Sequence, residues 1–184
     1  MVTDNIGAEE GSYVSASDVH VRQAVPDDAA AIATIYNHYI QTSTATFDTE
    51  LKSEENRRSW LLDRSQAHPV TVAEREDLVV GFGALSPWGT RCAYHRSVEV
   101  STYVDPRFTG LGVGRALLAD LLQRARAVGH HALIGQVVSG NDASIALLTR
   151  AGFEVVGTLR EVGDKFDRWL DVVLLEYIVP DEDG

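Results

Sequence analysis

Three glycines at two-residue spacing separate a strand-like run from an apolar helical pattern in VDPRFTGLGVGRALL, residues Val104–Leu118. A strand that ends in Asp-Pro, turns through glycine and enters a helix brings unpaired backbone amides together. The helix dipole adds partial positive charge at the same point, so such a junction is suited to an anion. Glycine also lets the main chain approach phosphate oxygens with no Cβ in the way. Spacing then sorts the phosphate ligands. A P-loop requires G-x-x-x-x-G-K-[ST], and no Lys follows here. A dinucleotide fingerprint requires G-x-G-x-x-G. Counting from Gly110 and Gly112 the third position is Arg115, and from Gly112 and Gly114 it is Leu117, so neither register fits. Spacing alone leaves open a β-α turn that binds nothing and an anion site of another class.

The pattern around this junction is that of one domain from about Val19 to Val179, without linker or internal repeat. VHVRQAV alternates as a strand, and Pro26-Asp27-Asp28 opens a helix with Ala31, Ile32, Ile35 and Tyr39 on one face. Ser53 is positioned to cap a second helix whose first turn carries Glu54 and Glu55. PVTVAE and LVVGFGAL read as strands about a polar turn. In SVEVSTYVD the residues Val98, Val100, Thr102 and Val104 alternate with Ser97, Glu99, Ser101 and Tyr103. A helix is expected over Gly110–Val128, ended by Gly129, then a strand HALIGQVV and a helix from Asn141 through Arg150. GFEVVGTLR and RWLDVVLLEYIV complete the order β-α-α-β-β-β-α-β-α-β-β. An antiparallel meander combined with a crossover predicts an α/β (α+β) domain. Its mixed, mostly antiparallel sheet has about seven strands, with helices on both faces.

Charge narrows the partners. The formal net charge of −11 is concentrated in acidic tails over 1–18 and 180–184, expected to be disordered, which leaves the body mildly acidic. No basic footprint for nucleic acid exists, and no apolar run reaches the 18 residues a membrane span needs. The first residues have neither a basic start nor an apolar core, so no secretory signal is expected, and Cys92 is the single cysteine. A cytoplasmic location is therefore expected. The six histidines show no metal-ligand spacing, so no metal is expected.

Arg107-Phe108-Thr109-Gly110-Leu111-Gly112 does fit R/Q-x-x-G-x-G/A, and Asn141-Asp142-Ala143-Ser144 is followed by Ala151-Gly152-Phe153. In these segments the chain resembles the Gcn5-related N-acetyltransferase superfamily. The resemblance implies a single-domain acetyl-CoA N-acyltransferase fold with acetyl-CoA as co-substrate. It places Arg107, Thr109, Gly110, Gly112, Gly114 and Arg115 around the diphosphate, Val98 and Val100 beside the thioester and pantetheine, and Asn141 on the pantetheine. Thr109 stands where the family is often basic.

Tyr36-Asn37-His38-Tyr39, Thr42 through Phe47, Pro87-Trp88, Arg91, Ala93-Tyr94, Glu99 and Gly157 through Gly163 are similar to the phosphinothricin N-acetyltransferase subfamily. That resemblance covers roughly Val21 to Val179. It implies acetylation of the α-amine of a small amino acid or analogue: phosphinothricin, methionine sulfoximine or methionine sulfone. It also implies a homodimer. An α-ammonium must lose a proton before it attacks, and Glu99 is the candidate general base, reaching the amine through a water. Arg91 is the candidate for the substrate carboxylate, with Lys165 as a second cation and Tyr36, Thr44, Phe47, Trp88 and Tyr94 shaping the pocket. Leu148 stands where the subfamily has His and wider relatives Tyr. The competing readings are acetylation of a polyamine or peptide N-terminus, and a non-catalytic acyl-CoA-binding module.

Overall fold

A computed structural model describes residues 19–180, so the tails expected over 1–18 and 180–184 lie outside it, apart from Pro180. The strands are β1 (His20–Gln23), β2 (Val70–Arg75), β3 (Leu78–Pro87), β4 (Ser97–Val104), β5 (Ala132–Val138), β6 (Glu154–Asp164) and β7 (Trp169–Ile178). The helices are α1 (Ala29–Thr42), α2 (Glu54–Leu62), α3 (Val113–Ala127) and α4 (Asp142–Arg150). All strands form one open sheet in the order β1-β2-β3-β4-β5-β7-β6. Only β4 and β5 pair in parallel. The expected element order and mixed sheet are both present.

Two cores follow from the alternation of side chains across the sheet. On one face Ile32 and Ile35 of α1 meet Val70, Val72, Phe82 and Ala84, with Trp60 and Leu61 of α2 and Tyr103 of β4 packed against them. On the other, Leu118, Leu121 and Ala125 of α3 and Leu148 of α4 meet Leu85, Val98, Val100, Leu133 and Val137. Val98 and Glu99, being neighbours, therefore face opposite sides of the sheet. Ser53 caps α2 as its position predicts, its Oγ accepting the Asn56 amide at 3.1 Å. Arg22 ties β1 to the entry of α1 through two hydrogen bonds to the Asp28 carboxylate, both 2.8 Å.

The glycine junction departs from its expected boundary. Pro106–Phe108 forms a 3-10 turn and α3 begins only at Val113. Gly110 and Gly112 have φ of 77° and 85°, a left-handed conformation outside any right-handed helix.

Candidate active site

Asp105 directly follows β4, and its Oδ1 accepts the Arg107 amide at 3.0 Å, setting the turn that leads into the glycines. Gly112 is the residue preceding α3, so the first amides of that helix are left without helical acceptors. They open on a groove of about 1280 Å³ lined by Thr109, Gly110, Gly112, Gly114 and Arg115, and by Asn141, Ser144 and Arg150 from the α4 side. Arg168, from the β6–β7 turn, also reaches it. Gly114 has a packing reason as well: a Cβ there would lie 3.3 Å from Leu147 Cδ2. No acid lies in the first turn of α3. Backbone amides, the helix dipole and three arginines make this groove suited to a large anionic ligand.

The groove continues into the sheet because β4 and β5 separate. They pair only where Ser97, Val98 and Glu99 face Ala132, Leu133 and Ile134. Beyond that point β4 stays with β3 and β5 stays with β7, and the two strands diverge. A second cavity of about 360 Å³ opens at the fork. It shares Thr44, Ala45, Tyr103, Asn141 and Ser144 with the groove, so a ligand extended along the groove can present its end there.

Glu99 is the last paired residue before the fork, and its side chain lines this cavity. Its Oε2 accepts a hydrogen bond from Gln136 Nε2 at 3.0 Å, across the opening. Burial pushes the Glu99 carboxyl above the usual carboxylate range, and the Gln136 donor opposes that. Nearby, the Tyr36 hydroxyl lies 2.8 Å from Thr46 Oγ1 and donates to Asp48 Oδ2 at 3.1 Å. Burial raises the phenols of Tyr36 and Tyr103, so both remain neutral hydrogen-bonding groups. A carboxyl whose proton affinity is raised, beside a chamber fed by an anion groove, can take a proton from an amine that enters the chamber.

The residues expected from sequence divide sharply. Thr109, Gly110, Gly112, Gly114, Arg115 and Asn141 line the groove, and Tyr36, Thr44, Phe47, Glu99 and Val100 line the inner cavity. Val98 is fully buried in the α3-side core. Arg107 folds back onto Asp105, with Nη2 2.7 Å from Oδ2, and does not line the groove. Trp88, Arg91 and Tyr94 sit on the β3–β4 connection, outside both cavities; Trp88 is half-buried and the other two are exposed. Lys165 requires a correction. Instead of offering a second cation to substrate it is buried, its Nζ donating to the carbonyls of Ser43 and Thr46 at 2.8 Å each. Leu148 lines the inner cavity and packs on Gly135, supplying no titratable group.

Sequence reasoning missed Gln136, Asp48, Arg150 and Arg168. Only Gln136 carried a signal, as a lone amide in the apolar strand ALIGQVV. Among the described residues no group of three or more His, Cys, Asp or Glu could hold a metal ion. Nor is any helix there long and apolar enough to cross a membrane.

A sheet forked at its parallel pair, an amide-rich β-α junction beside the fork and a carboxyl inside it make a site for a long anionic ligand whose far end meets a base. The chain belongs to the acetyltransferase (GNAT) family, which matches residues 32–153. It is 38% identical over 165 residues to a phosphinothricin N-acetyltransferase of Streptomyces coelicolor, covering 87% of this chain and 96% of the relative. It is 36% identical over 157 residues to the L-methionine sulfoximine/L-methionine sulfone acetyltransferase of Salmonella typhimurium, covering 85% and 92%. The structure of yncA from Salmonella typhimurium with its cofactor acetyl-CoA superposes with a TM-score of 0.86 at 33% identity, covering 91% and 97%.

The protein is thus an acetyl-CoA-dependent N-acetyltransferase. The groove fits that co-substrate on its own evidence: positive-φ glycines at a helix N-terminus suit a diphosphate, and the fork suits a narrow chain ending in a thioester.

Proposed function

We propose that the enzyme acetylates the α-amine of a small amino acid or analogue of the phosphinothricin, methionine sulfoximine or methionine sulfone class, with Glu99 as general base through a water. The observation that carries this reading is the placement of Glu99. It stands at the fork, bonded to Gln136, in a cavity continuous with the cofactor groove and of a size for a small amino acid. The printed activities of the relatives support the substrate class.

Acetyl-CoA supplies the activated acyl group. The chain's own residues do the rest. Gly110, Gly112 and the first turn of α3 fix the anionic end with Arg115, and Asn141 borders both chambers. Glu99 removes the amine proton, and burial of its carboxyl raises its affinity for that proton. The Leu148 side chain carries no titratable group, and Asp48, the other carboxyl lining the cavity, accepts from the Tyr36 hydroxyl, which leaves the base role to Glu99. Arg91 remains the carboxylate ligand in this proposal. Its guanidinium is exposed and without an ion-pair partner among the described residues, on the connection leading into β4. A homodimer and a cytoplasmic location belong to the same reading. Exposed apolar side chains on β6 and β7 support the first, and the lone, exposed Cys92 suits the second.

One observation favours a second reading. Asp48 and Glu99 line the inner cavity and no Lys or Arg does, among the described residues, which suits a more cationic amine such as a polyamine. Thiol release from acetyl-CoA against phosphinothricin, methionine sulfoximine, methionine sulfone, ordinary amino acids and a polyamine decides between them. Turnover of the first three that collapses in Glu99→Gln is the expected result. Turnover of the polyamine alone moves the function to the second reading, and turnover of none of them places the acceptor amine outside both classes.

A further inference from the structure

The segment Ser43–Asp48 lies between the two chambers, Thr44 and Ala45 lining both and Thr46, Phe47 and Asp48 lining the inner one. It belongs to no helix or strand. Among the described residues no backbone amide outside helices and strands donates to the Ser43 or Thr46 carbonyl. Lys165 fills that role from more than a hundred residues away in sequence. Its Nζ donates to Ser43 O and Thr46 O at 2.8 Å and lies 3.5 Å from Tyr39 O in the last turn of α1. The ammonium has no carboxylate partner within ion-pair distance among the described residues, so its charge is spent on carbonyl dipoles.

A second contact joins the same two segments. A Cβ built on Gly163 would lie 2.3 Å from two ring atoms of Phe47, so the phenyl ring rests directly on the Gly163 backbone. Gly163 resumes pairing with Leu170 after a register shift that follows Leu159, and this delivers the hairpin tip to the loop. The tip itself is tight: Phe166 and Asp167 both have φ of 57°, and the Lys165 amide donates to Arg168 O at 3.2 Å. One side of the tip therefore grips the loop, while Arg168 on the other lines the cofactor groove.

We propose that the tip of the β6–β7 hairpin is a clasp for loop Ser43–Asp48, and that Lys165 is a positioning residue for the acceptor amine, acting through that loop with Gly163 as the seat for Phe47. The proposal rests on the inner cavity being the acceptor site. Lys165 touches no part of that cavity; it holds the carbonyls of the loop that lines it. A general anchor would be felt equally by both substrates, whereas a clasp on this loop is felt more by the acceptor, since Thr46, Phe47 and Asp48 line only the inner chamber while Ser43 is the one loop residue that lines only the groove.

Lys165→Met removes the donors and Gly163→Ala displaces the ring without touching the lysine, so the two variants test the clasp independently. Three readings are made on each: the KM of the best amine from the panel, the acetyl-CoA dissociation constant by calorimetry, and amide hydrogen exchange. The expected result is an amine KM raised tenfold or more with acetyl-CoA binding changed less than threefold. The amides of Ala45 and Asp48 should exchange faster, while those of residues 113–115 stay as in the wild type. An unchanged amine KM in both variants overturns the proposal, as does an equal loss of acetyl-CoA binding. Should Lys165→Met fail to fold, the same readings on Gly163→Ala decide the matter. If the wild type turns over no amine, the substrate reading fails separately, and exchange at Ala45 and Asp48 still decides whether the clasp exists.

Discussion

Burial around Glu99 raises its carboxyl above the ordinary value of 4.5, while the Gln136 amide at 3.0 Å pulls the other way. A folded-state pKa above the unfolded one means that the folded chain prefers the protonated acid. The stability this group contributes is complete below the unfolded value and is lost as pH rises through the folded one. At neutral pH the ionised carboxylate thus costs stability in return for its basicity. Glu99→Gln should lose about 10²–10⁴-fold in turnover. Its Tm at pH 7 should equal or exceed that of the wild type, with the difference closing below about pH 4.5. The acid limb of the wild-type rate should lie above the ordinary glutamate range, because the base must be ionised to act; a limb below it would rule out Glu99 in that role. Gly110 gives a complementary prediction. At φ 77° with nothing within 4 Å of a built Cβ, alanine meets no clash, only backbone strain. Gly110→Ala should cost about 1 kcal/mol in stability and weaken acetyl-CoA binding measured by calorimetry. The glycines were legible in sequence because their meaning is local. Lys165 was not: residue type announces a cation, but only the hairpin that carries it shows that carbonyls consume the charge.

At the scale of elements, each strand and helix was legible because alternation and 3.6-residue spacing are written into short windows. The start of α3 moved from Gly110 to Val113 because left-handed glycines are excluded from the helix they introduce. The fork between β4 and β5 was not legible. Whether two strands stop pairing after Glu99 depends on which neighbours claim their other edges, and those neighbours, β3 and β7, lie far apart in sequence. For the same reason Gln136 could not be matched with Glu99, though each sits on a readable strand. Asn141 joins local and remote roles: its Oδ1 accepts the Ser144 amide at 3.3 Å, capping α4, and its side of the helix lines both chambers. Asn141→Ala should cost about 1 kcal/mol as a lost cap. It should also raise the acetyl-CoA dissociation constant by more than that loss explains, as seen by calorimetry well below Tm. A thermal penalty with unchanged binding would make Asn141 a cap alone.

Over the whole molecule, apolar surface is unevenly distributed. β6 is an edge of the sheet, yet it exposes Val155, Val156, Leu159 and Val162, and its neighbour β7 exposes Trp169 at 65%. Single exposed apolar residues are ordinary, but a set on adjacent strands offers apolar area that a second copy could cover. Register shifts after Val155 and Leu159 interrupt the outer ladder, which disfavours continued strand addition at that edge. A closed pairing of two identical faces satisfies the apolar surface without open-ended growth. The arm formed by β6 and β7 also ends at the clasp and at Arg168, so a partner copy seated along it would bear on the acceptor loop and the cofactor groove. Light scattering at about 10 μM should therefore give twice the 20.1 kDa chain mass. Leu159→Asp combined with Trp169→Asp should bring it to one chain, since burying two unpaired carboxylates in an apolar contact costs more than the contact returns. Circular dichroism should show the double variant still folded, because neither side chain enters a core in the single chain. A wild-type chain that scatters as a monomer would refute the dimer. A double variant that stays at twice the mass would move the contact elsewhere on the surface. If the variant becomes monomeric and its amine KM rises while acetyl-CoA binding holds, the second copy acts on the acceptor side through the same arm that clasps the loop.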